Sequence, residues 1–400
     1  MISVAEALQR ILDDAAAVPD TETVDLSAAC GRILASPVSA NRTQPGFAAS
    51  AMDGYAVRAG DLAADINQPL TVIGESAAGS AFTGTVRFGE AVRIFTGAPV
   101  PDGADAVLIQ ENAEKLPDSR IRPTAPVAAG RNIRPAGTDF QAGSLLIAAC
   151  RRLTPGTVAL AASAGHPRLV VLRRPRVAIL ATGDELVRPG EPLGPSQIVA
   201  SNSYGVAALV EAAGGRALDY GIAPDDEAEI SARLDQALAE KADVFVTIGG
   251  ASVGDHDLVG TVFASRGIAL DFWKVAMRPG KPLMAGRLGD MRILGLPGNP
   301  ASSMVTANLF LRPLIKRLAG WPDEIGEEDG VLGADLAAND VRTDFLRARI
   351  EPRSTPPRLL PLARQDSSLL SVYAEADALL IRPPLAPAAQ AGEPCRFIRL

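Results

Sequence analysis

Cysteine and histidine are scarce in this chain. Its 400 residues include three cysteines, Cys30, Cys150 and Cys395, which are too far apart for a zinc site and too few for a secreted disulfide scaffold. The two histidines, His166 and His256, are too few for a metal centre built on histidine. These absences indicate a protein of the reducing cytosol.

Long apolar runs and an excess of positive charge are also absent. No run approaches the roughly 18 apolar residues that a membrane span requires, and the first residues lack the basic and apolar segments of a secretion signal. The net charge of -7 provides no broad basic surface for nucleic acid. With 47% hydrophobic and 21% charged residues, the sequence is typical of a soluble cytoplasmic protein of about two to four domains.

The spacing of apolar residues predicts regions of different structure. Residues 3–6 have the pattern of a capping box, which predicts an opening helix. From about residue 23 to 166, short apolar runs broken by glycine and proline predict a strand-rich region. From residue 177 onward strands and helices alternate, with helices predicted near 203–213 and 228–240, as in a mostly parallel sheet covered by helices. The acidic stretch 324–329 is interpreted as a linker to a final small β module.

Carboxylates follow two of the strands predicted in the alternating region. Glu185 comes after a strand at 177–180, and Asp257 ends the glycine-rich loop that follows a strand at 244–248. In open parallel sheets, ligands bind beyond the carboxyl ends of the strands. Converging carboxylates suit Mg²⁺, which commonly takes one or two of them together with phosphate oxygens. The sequence therefore predicts a cation site for a phosphorylated ligand.

Asp225 and Asp226 lie in another loop of this region, directly before a predicted helix at 228–240. They are candidates for the same cation site. The alternative is that both cap the helix and that Asp184 closes a turn.

Two glycine-containing loops are candidates for binding an anion. Gly249, Gly250 and Gly254 lack a Cβ, so a ligand can approach their backbone closely. The turn at 296–300 precedes a predicted helix at 301–318, whose first amides and dipole favour phosphate or another oxyanion. The alternative for this turn is a plain helix entry. Neither loop is a dinucleotide fingerprint, and residues 279–282 are not a Walker A loop, so ATP hydrolysis is disfavoured.

Positive charge is concentrated near the turn at 296–300. Lys274, Arg278 and Lys281 supply the charge that an anionic substrate requires. The alternative is that these side chains are solvated on the surface.

Two loops of the strand-rich region carry polar residues without an evident packing role. Residues 50–56 read Ser-Ala-Met-Asp-Gly-Tyr-Ala and include Asp53, and residues 96–99 read Thr-Gly-Ala-Pro and begin with Thr96. An acid in such a loop favours a functional role.

Taken together and in this order, the motifs resemble the MoeA family, the molybdopterin molybdenumtransferases that include the E domain of gephyrin. The resemblance extends from the first helix to the last strands. It rests on residues 50–56, 96–99, 182–186, 249–257, 279–282 and 296–300.

The resemblance implies a reaction and an assembly. Family members take adenylylated molybdopterin and molybdate, use Mg²⁺, insert molybdenum at the dithiolene and release AMP. They form homodimers of four-domain subunits, in which the active site lies between the α/β domain of one subunit and the N-terminal region of its partner. A molybdopterin adenylyltransferase and molybdoenzyme acceptors are the further protein partners implied; nucleic acid and membranes are not expected.

The resemblance also implies a multidomain α/β fold. Residues 1–45 with 133–172 would form a strand-rich, elongated N-terminal domain, into which a β-rich domain, 46–132, is inserted. Residues 173–319 would form a three-layer α/β molybdopterin-binding domain with a mostly parallel sheet. Residues 325–400 would form a small domain similar to a β-barrel.

The functional residues of the family are carried over by motif. Catalytic roles fall on Asp53, Thr96, Asp139, Glu185, Asp225 and Asp257. The metal ligands among these are Glu185, Asp225 and Asp257. Substrate binding falls on Gly249, Gly250, Ser252, Gly254, Lys274, Arg278, Lys281, Pro297, Gly298, Asn299, Pro300, Arg347 and Ser367.

Three positions depart from the family pattern. Ala48 and Thr138 stand where the family has acids, and Arg278 stands where many members have lysine. The leading hypothesis is a molybdenumtransferase. The missing acids favour a different class, a paralogue that carries molybdopterin or the finished cofactor without inserting metal. A scaffolding role like that of gephyrin has little support, because no further domain is attached.

Overall fold

The computed structural model describes residues 1–250, 258–322 and 326–400. Within these ranges no helix is long and apolar enough to cross a membrane. The chain forms two compact units. The larger unit comprises Met1–Glu22, Gly31–Ile33 and Val171–Leu400, and the smaller unit comprises Thr23–Cys30 and Leu34–Val170.

The helices are short and most lie in the larger unit. In chain order, α1 to α9 are Val4–Leu12, Ala59–Ala64, Pro155–Ser163, Asn202–Ala212, Glu227–Ala239, Leu258–Ser265, Pro300–Thr306, Arg312–Leu318 and Leu370–Ala374.

Strands occur throughout both units. From the N-terminus, β1 to β12 are Thr21–Asp25, Val38–Ser39, Ala49–Ser50, Gly54–Val57, Leu70–Ser76, Glu90–Ile94, Ala106–Ile109, Ala113–Leu116, Arg120–Pro123, Ile133–Arg134, Leu145–Ile147 and Arg168–Leu172. In the middle of the chain, β13 to β21 are Arg176–Thr182, Leu186–Val187, Ile198–Val199, Arg216–Ala223, Val244–Ile248, Ala269–Lys274, Met277–Arg278, Pro282–Leu288 and Met291–Leu296. At the C-terminus, β22 to β26 are Glu327–Leu332, Thr343–Ile350, Arg358–Pro361, Ala378–Arg382 and Pro394–Arg399.

A six-stranded sheet in the order β16-β13-β17-β21-β20-β18 forms the centre of the larger unit. Its first four strands are mutually parallel, whereas β20 and β18 are antiparallel to their neighbours. The sheet is therefore mixed, with its parallel part where strand and helix alternation predicts it.

Helices cover both faces of this sheet. Residues of a strand point alternately to opposite faces, so Val177 and Ile179 pack on one face with Val206 of α4. Ala178 and Leu180 of the same strand pack on the other face with α5 and α6. This arrangement is the predicted three-layer α/β domain.

The C-terminal strands close into a barrel. The order β23-β24-β22-β26-β25 is closed by pairing of β25 with β23, so that five strands leave no open edge. The expected barrel-like module is confirmed. The linker expected at 324–329 is wrong in its second half, because β22 begins at Glu327 and pairs along β26.

The smaller unit is built on a second six-stranded sheet, in the order β7-β4-β6-β5-β9-β8. Its core includes Tyr55, Leu70, Leu108 and Ile121. The helix α3 was not expected in this strand-rich region. Its N-cap is Thr154, whose hydroxyl accepts a hydrogen bond from Thr157 N at 3.3 Å. The predicted strand-rich character of the region is confirmed.

Candidate functional site

A cavity of about 630 Å³ lies at the carboxyl ends of the parallel strands β13, β17 and β21. Its volume is in the usual range for small-molecule sites, roughly 300–1,000 Å³. The lining residues come from the ends of these strands, the segments that follow them and β16, the start of α4 and the segment before α9. They include Thr182, Gly183, Glu185, Asn202, Asp225, Gly249, Gly250, Pro297, Gly298, Asn299, Pro300 and Ser368.

Two of the predicted metal ligands, Glu185 and Asp225, line this cavity. Both are exposed, and neither carboxylate forms an ion pair with a described residue. The third predicted ligand, Asp257, lies outside the described residues. In the described ranges no three Asp, Glu, His or Cys side chains are grouped to hold a metal ion. The full ligand set therefore stays a prediction.

The neighbouring aspartates have structural roles. The Asp184 carboxylate accepts a hydrogen bond from Asp225 N at 3.1 Å. Asp226 is the N-cap of α5, and its carboxylate accepts from Ala228 N at 2.7 Å and from Glu229 N at 3.3 Å. The interpretation as turn and cap residues thus fits Asp184 and Asp226. It does not fit Asp225, whose carboxylate has no hydrogen bond to a described residue.

The glycines of the cavity are required by close packing, of Gly249 against β13 and of Gly250 against α6. Gly249 has φ +101°, and a Cβ there would lie 2.6 Å from Thr182 O. Gly250 has φ +62°, and its Cβ would lie 2.5 Å from a methyl carbon of Val259. A side chain at either position would displace the turn. Ser252 and Gly254, the other predicted binding residues of this loop, lie outside the described residues.

The turn at 297–300 is held from both sides. Asn202 at the start of α4 donates to Gly298 O at 2.7 Å. On the other side, Asn299 donates to Ser367 Oγ at 3.2 Å, and Ala301 N donates to Ser367 O at 3.0 Å. Ser367 therefore reaches the cavity turn from the C-terminal segment, as its predicted role requires.

Sequence reasoning missed several polar residues of this cavity, among them Asn202 and Thr182. Asn202 stands at the start of a predicted helix, where its polarity reads as an ordinary cap. Thr182 ends a buried strand, and threonine is common in strands. Only the position of each, directly beyond or beside the carboxyl end of a parallel strand, could have drawn attention to it.

Arg347 does not line the cavity. It lies in β23 with 1% of its surface exposed, and its guanidinium donates to Asp366 O at 3.2 Å. Burial lowers the pKa of this arginine. The Gln365 side chain accepts a hydrogen bond from Arg347 N at 3.0 Å and donates one to Arg347 O at 2.9 Å. The side chain thus supports the segment that carries Ser367.

In the smaller unit, Asp53 and Thr96 come together. The Asp53 carboxylate accepts hydrogen bonds from Thr96 N and Thr96 Oγ1, both at 2.8 Å. The two loops are further joined by Ser50, whose amide donates to Ala98 O at 2.9 Å. The third predicted residue of this unit, Asp139, is exposed, and its carboxylate has no partner among the described residues.

The pKa of Asp53 is lowered by hydrogen bonding from the Thr96 amide first and from the Thr96 hydroxyl second. We expect Thr96→Val, which removes only the hydroxyl bond, to raise the pKa of Asp53 toward its ordinary value of 3.8. The loop contact should be complete above that value and disappear as the pH falls through the lowered pKa. NMR titration of the Asp53 carboxyl measures its pKa and the pH at which the loop contact is lost, with Thr96→Ser as the control. Identical titration in wild type and Thr96→Val would contradict the assignment.

Three family models and several known proteins match this chain. Residues 2–165 match the model of the MoeA N-terminal region, domains I and II. Residues 178–317 match the model of a probable molybdopterin binding domain, and residues 329–400 match the MoeA C-terminal region, domain IV. A molybdopterin molybdenumtransferase from Nostoc sp. is 42% identical over 307 residues, covering 75% of this chain and 70% of its own. The chain belongs to the MoeA family.

Other members extend the similarity to nearly the whole chain. The molybdopterin molybdenumtransferase of Bacillus subtilis is 35% identical over 376 residues, which cover 91% of this chain and 86% of its own. The crystal structure of the molybdopterin biosynthesis MoeA protein from Pyrococcus horikosii superposes with a TM-score of 0.83 at 29% identity, covering 100% of this chain and 99% of that one. The protein is accordingly a transferase with the MoeA fold.

The three predicted basic residues, Lys274, Arg278 and Lys281, do not line the cavity, and they differ in their environment. Arg278, at the position where many members have lysine, forms ion pairs with Asp344 and, at 3.7 Å, with Asp340. The hydrogen bond to Asp344 is the main cause of its raised pKa. Lys274 and Lys281 form no ion pair with a described residue. Pro282, next to Lys281, lines the cavity. The two lysines therefore retain their charge for a ligand more fully than Arg278 does.

Proposed function

We propose that this protein inserts molybdenum from molybdate into adenylylated molybdopterin, with release of AMP and a requirement for Mg²⁺. The observation that carries the proposal is the cavity that places Glu185 and Asp225 beside the 249–250 and 297–300 turns. Molybdopterin molybdenumtransferase is also the name of the curated relatives.

The residues present suit a hard cation. Glu185 and Asp225 offer carboxylate oxygens that no described basic group neutralises, which is the chemistry that Mg²⁺ prefers. We propose Asp257 as a third ligand. When bound, Mg²⁺ supplies positive charge that allows a pyrophosphate to lie beside these carboxylates.

The chain itself binds and orients the anionic substrates. Lys274 and Lys281 provide positive charge at the side of β18 and β20, where they favour entry of molybdate and phosphate groups. Gly249 and Gly250 keep the backbone open to the substrate, and the neighbouring turn at 297–300 borders the same cavity. Water is thereby displaced from the groups that react.

The test is release of AMP from adenylylated molybdopterin on addition of molybdate. We expect release that depends on both molybdate and Mg²⁺, measured chromatographically in single-turnover reactions. A protein that binds the adenylylated substrate but releases no AMP would instead be a carrier. That alternative is favoured by Ala48 and Thr138, which lack the acids of the family.

We also propose that the protein works in the cytoplasm as a homodimer, as the family resemblance implies. One subunit would contribute Asp53, Thr96 and Asp139 to the site of the other. A molybdopterin adenylyltransferase would supply the substrate, and molybdoenzymes would accept the product.

The homodimer predicts a specific sedimentation result. At micromolar concentration, sedimentation velocity should give a single species of twice the 41.5 kDa chain mass. A monomer alone at that concentration would refute the shared active site.

A further inference from the structure

Two buried threonine hydroxyls in the central sheet have no hydrogen-bond partner among the described residues. They belong to Thr182 at the end of β13 and Thr247 in β17, which are 3% and 0% exposed. Almost all buried hydroxyls in native proteins are paired, and an unpaired one costs stability. Each therefore requires an explanation.

The two hydroxyls differ in their relation to the cavity. Thr182 lines it, together with Gly249 and Gly250. Thr247 does not, although it lies one strand away in the same sheet. Thr182 thus combines an unpaired hydroxyl with a position in the cavity wall, whereas Thr247 has the unpaired hydroxyl alone.

Next to the buried hydroxyl of Thr182 the chain has two residues without side chains. Ideal Cβ atoms at Gly249 and at Gly250 would each lie 3.1 Å from Thr182 Oγ1. Because both residues are glycine, no side chain at positions 249 and 250 covers the oxygen.

We propose that Thr182 is a substrate-binding residue whose hydroxyl forms a hydrogen bond with a polar atom of the molybdopterin substrate in this cavity. A threonine hydroxyl can donate and accept, so it can serve either a phosphate oxygen or a pterin nitrogen. The inference rests on the proposed function, since it takes the adenylylated pterin as the ligand.

Replacement of Thr182 by valine removes the hydroxyl and preserves the shape of the side chain. Since the hydroxyl has no protein partner, T182V should melt at a temperature no lower than wild type. Its affinity for adenylylated molybdopterin should fall about three- to tenfold, the effect of losing one neutral hydrogen bond. T247V is the matched control: it removes an unpaired buried hydroxyl outside the cavity and should bind as wild type does.

The experiment is isothermal titration of wild type, T182V and T247V with adenylylated molybdopterin in the presence of Mg²⁺. Equal affinity of wild type and T182V would overturn the inference, as would an equal loss in T247V. If T182V does not fold, T182A and T182S are compared, since both lack the methyl group and differ only in the hydroxyl. T182S should then bind more tightly, and equal binding would overturn the inference.

The same titration separates this inference from the proposed function. If wild type does not bind adenylylated molybdopterin, the proposed function is wrong and the inference falls with it. If wild type binds and T182V binds equally well, only the role of Thr182 is wrong.

Discussion

Asp225→Ala is expected to reduce Mg²⁺-dependent AMP release by roughly ten- to a hundredfold, with little change in stability. Its carboxylate lines the cavity and has no ion pair or hydrogen bond to a described residue, so its loss costs the fold little. Loss of one charge-assisted contact, about 1.5–3 kcal/mol, corresponds to that range. Glu185→Gln should behave in the same way, because it removes a charge from the same cavity without changing the size of the side chain.

The adjacent residue provides a control with the opposite outcome. Asp226 caps α5 through hydrogen bonds to Ala228 N and Glu229 N. Asp226→Ala should therefore lower the free energy of unfolding by about 1 kcal/mol, while its Mg²⁺ dependence stays that of wild type. AMP release over a Mg²⁺ series and urea denaturation measure the two effects. If Asp225→Ala and Glu185→Gln both keep the wild-type Mg²⁺ dependence, these acids are turn formers and the cation site is wrong.

Gly249→Ala should abolish most of the activity for a steric reason. Its Cβ would lie 2.6 Å from Thr182 O, so the turn or the end of β13 must shift. In addition, the residue has φ +101°, a conformation that costs a residue with a side chain about 1–3 kcal/mol. We expect at least about a tenfold loss of AMP release and a measurable loss of stability.

Gly190→Ala separates strain from steric clash. Gly190 has φ +89°, but a Cβ there would meet no atom within 4 Å. This variant should lose stability by about 1 kcal/mol and retain its AMP release, because residue 190 does not line the cavity. Full activity in Gly249→Ala would show that the geometry of this turn does not matter for the reaction. Equal loss of activity in both variants would point to backbone strain alone.

Much of the larger unit could be predicted from the sequence. The strand predicted at 244–248 is β17, and the helices predicted near 203–213 and 228–240 are α4 and α5, each within one residue. These elements depend on apolar periodicity and caps, which are local properties of the chain. The mixed character of the sheet was not predicted, because the direction of β18 and β20 depends on how the chain turns back.

Sequence reasoning expected Glu185 and Asp257 to meet at one edge of the sheet, with Asp225 as a candidate from another loop, and it did not predict the strand β16 before Asp225. Parallel strands present their carboxyl ends at one edge, so acids that follow β13 and β16 lie near each other whatever their side-chain conformations. The sequence left open whether Asp225 and Asp226 bind a cation or cap the helix. Only the path of the backbone at the start of α5 decided that Asp226 faces the amides and Asp225 the cavity.

The environment of the arginines was decided by tertiary structure alone. The motif at 278–281 and the family resemblance gave Arg278 and Arg347 as positive charges for an anion. In the fold, Asp344 and Asp340 pair with Arg278, and the strand position of Arg347 buries it. Apolar periodicity predicts which residues form a strand, because it is a pattern of a few successive residues. The charge that a side chain presents depends on segments distant in sequence, and only the folded chain brings those together.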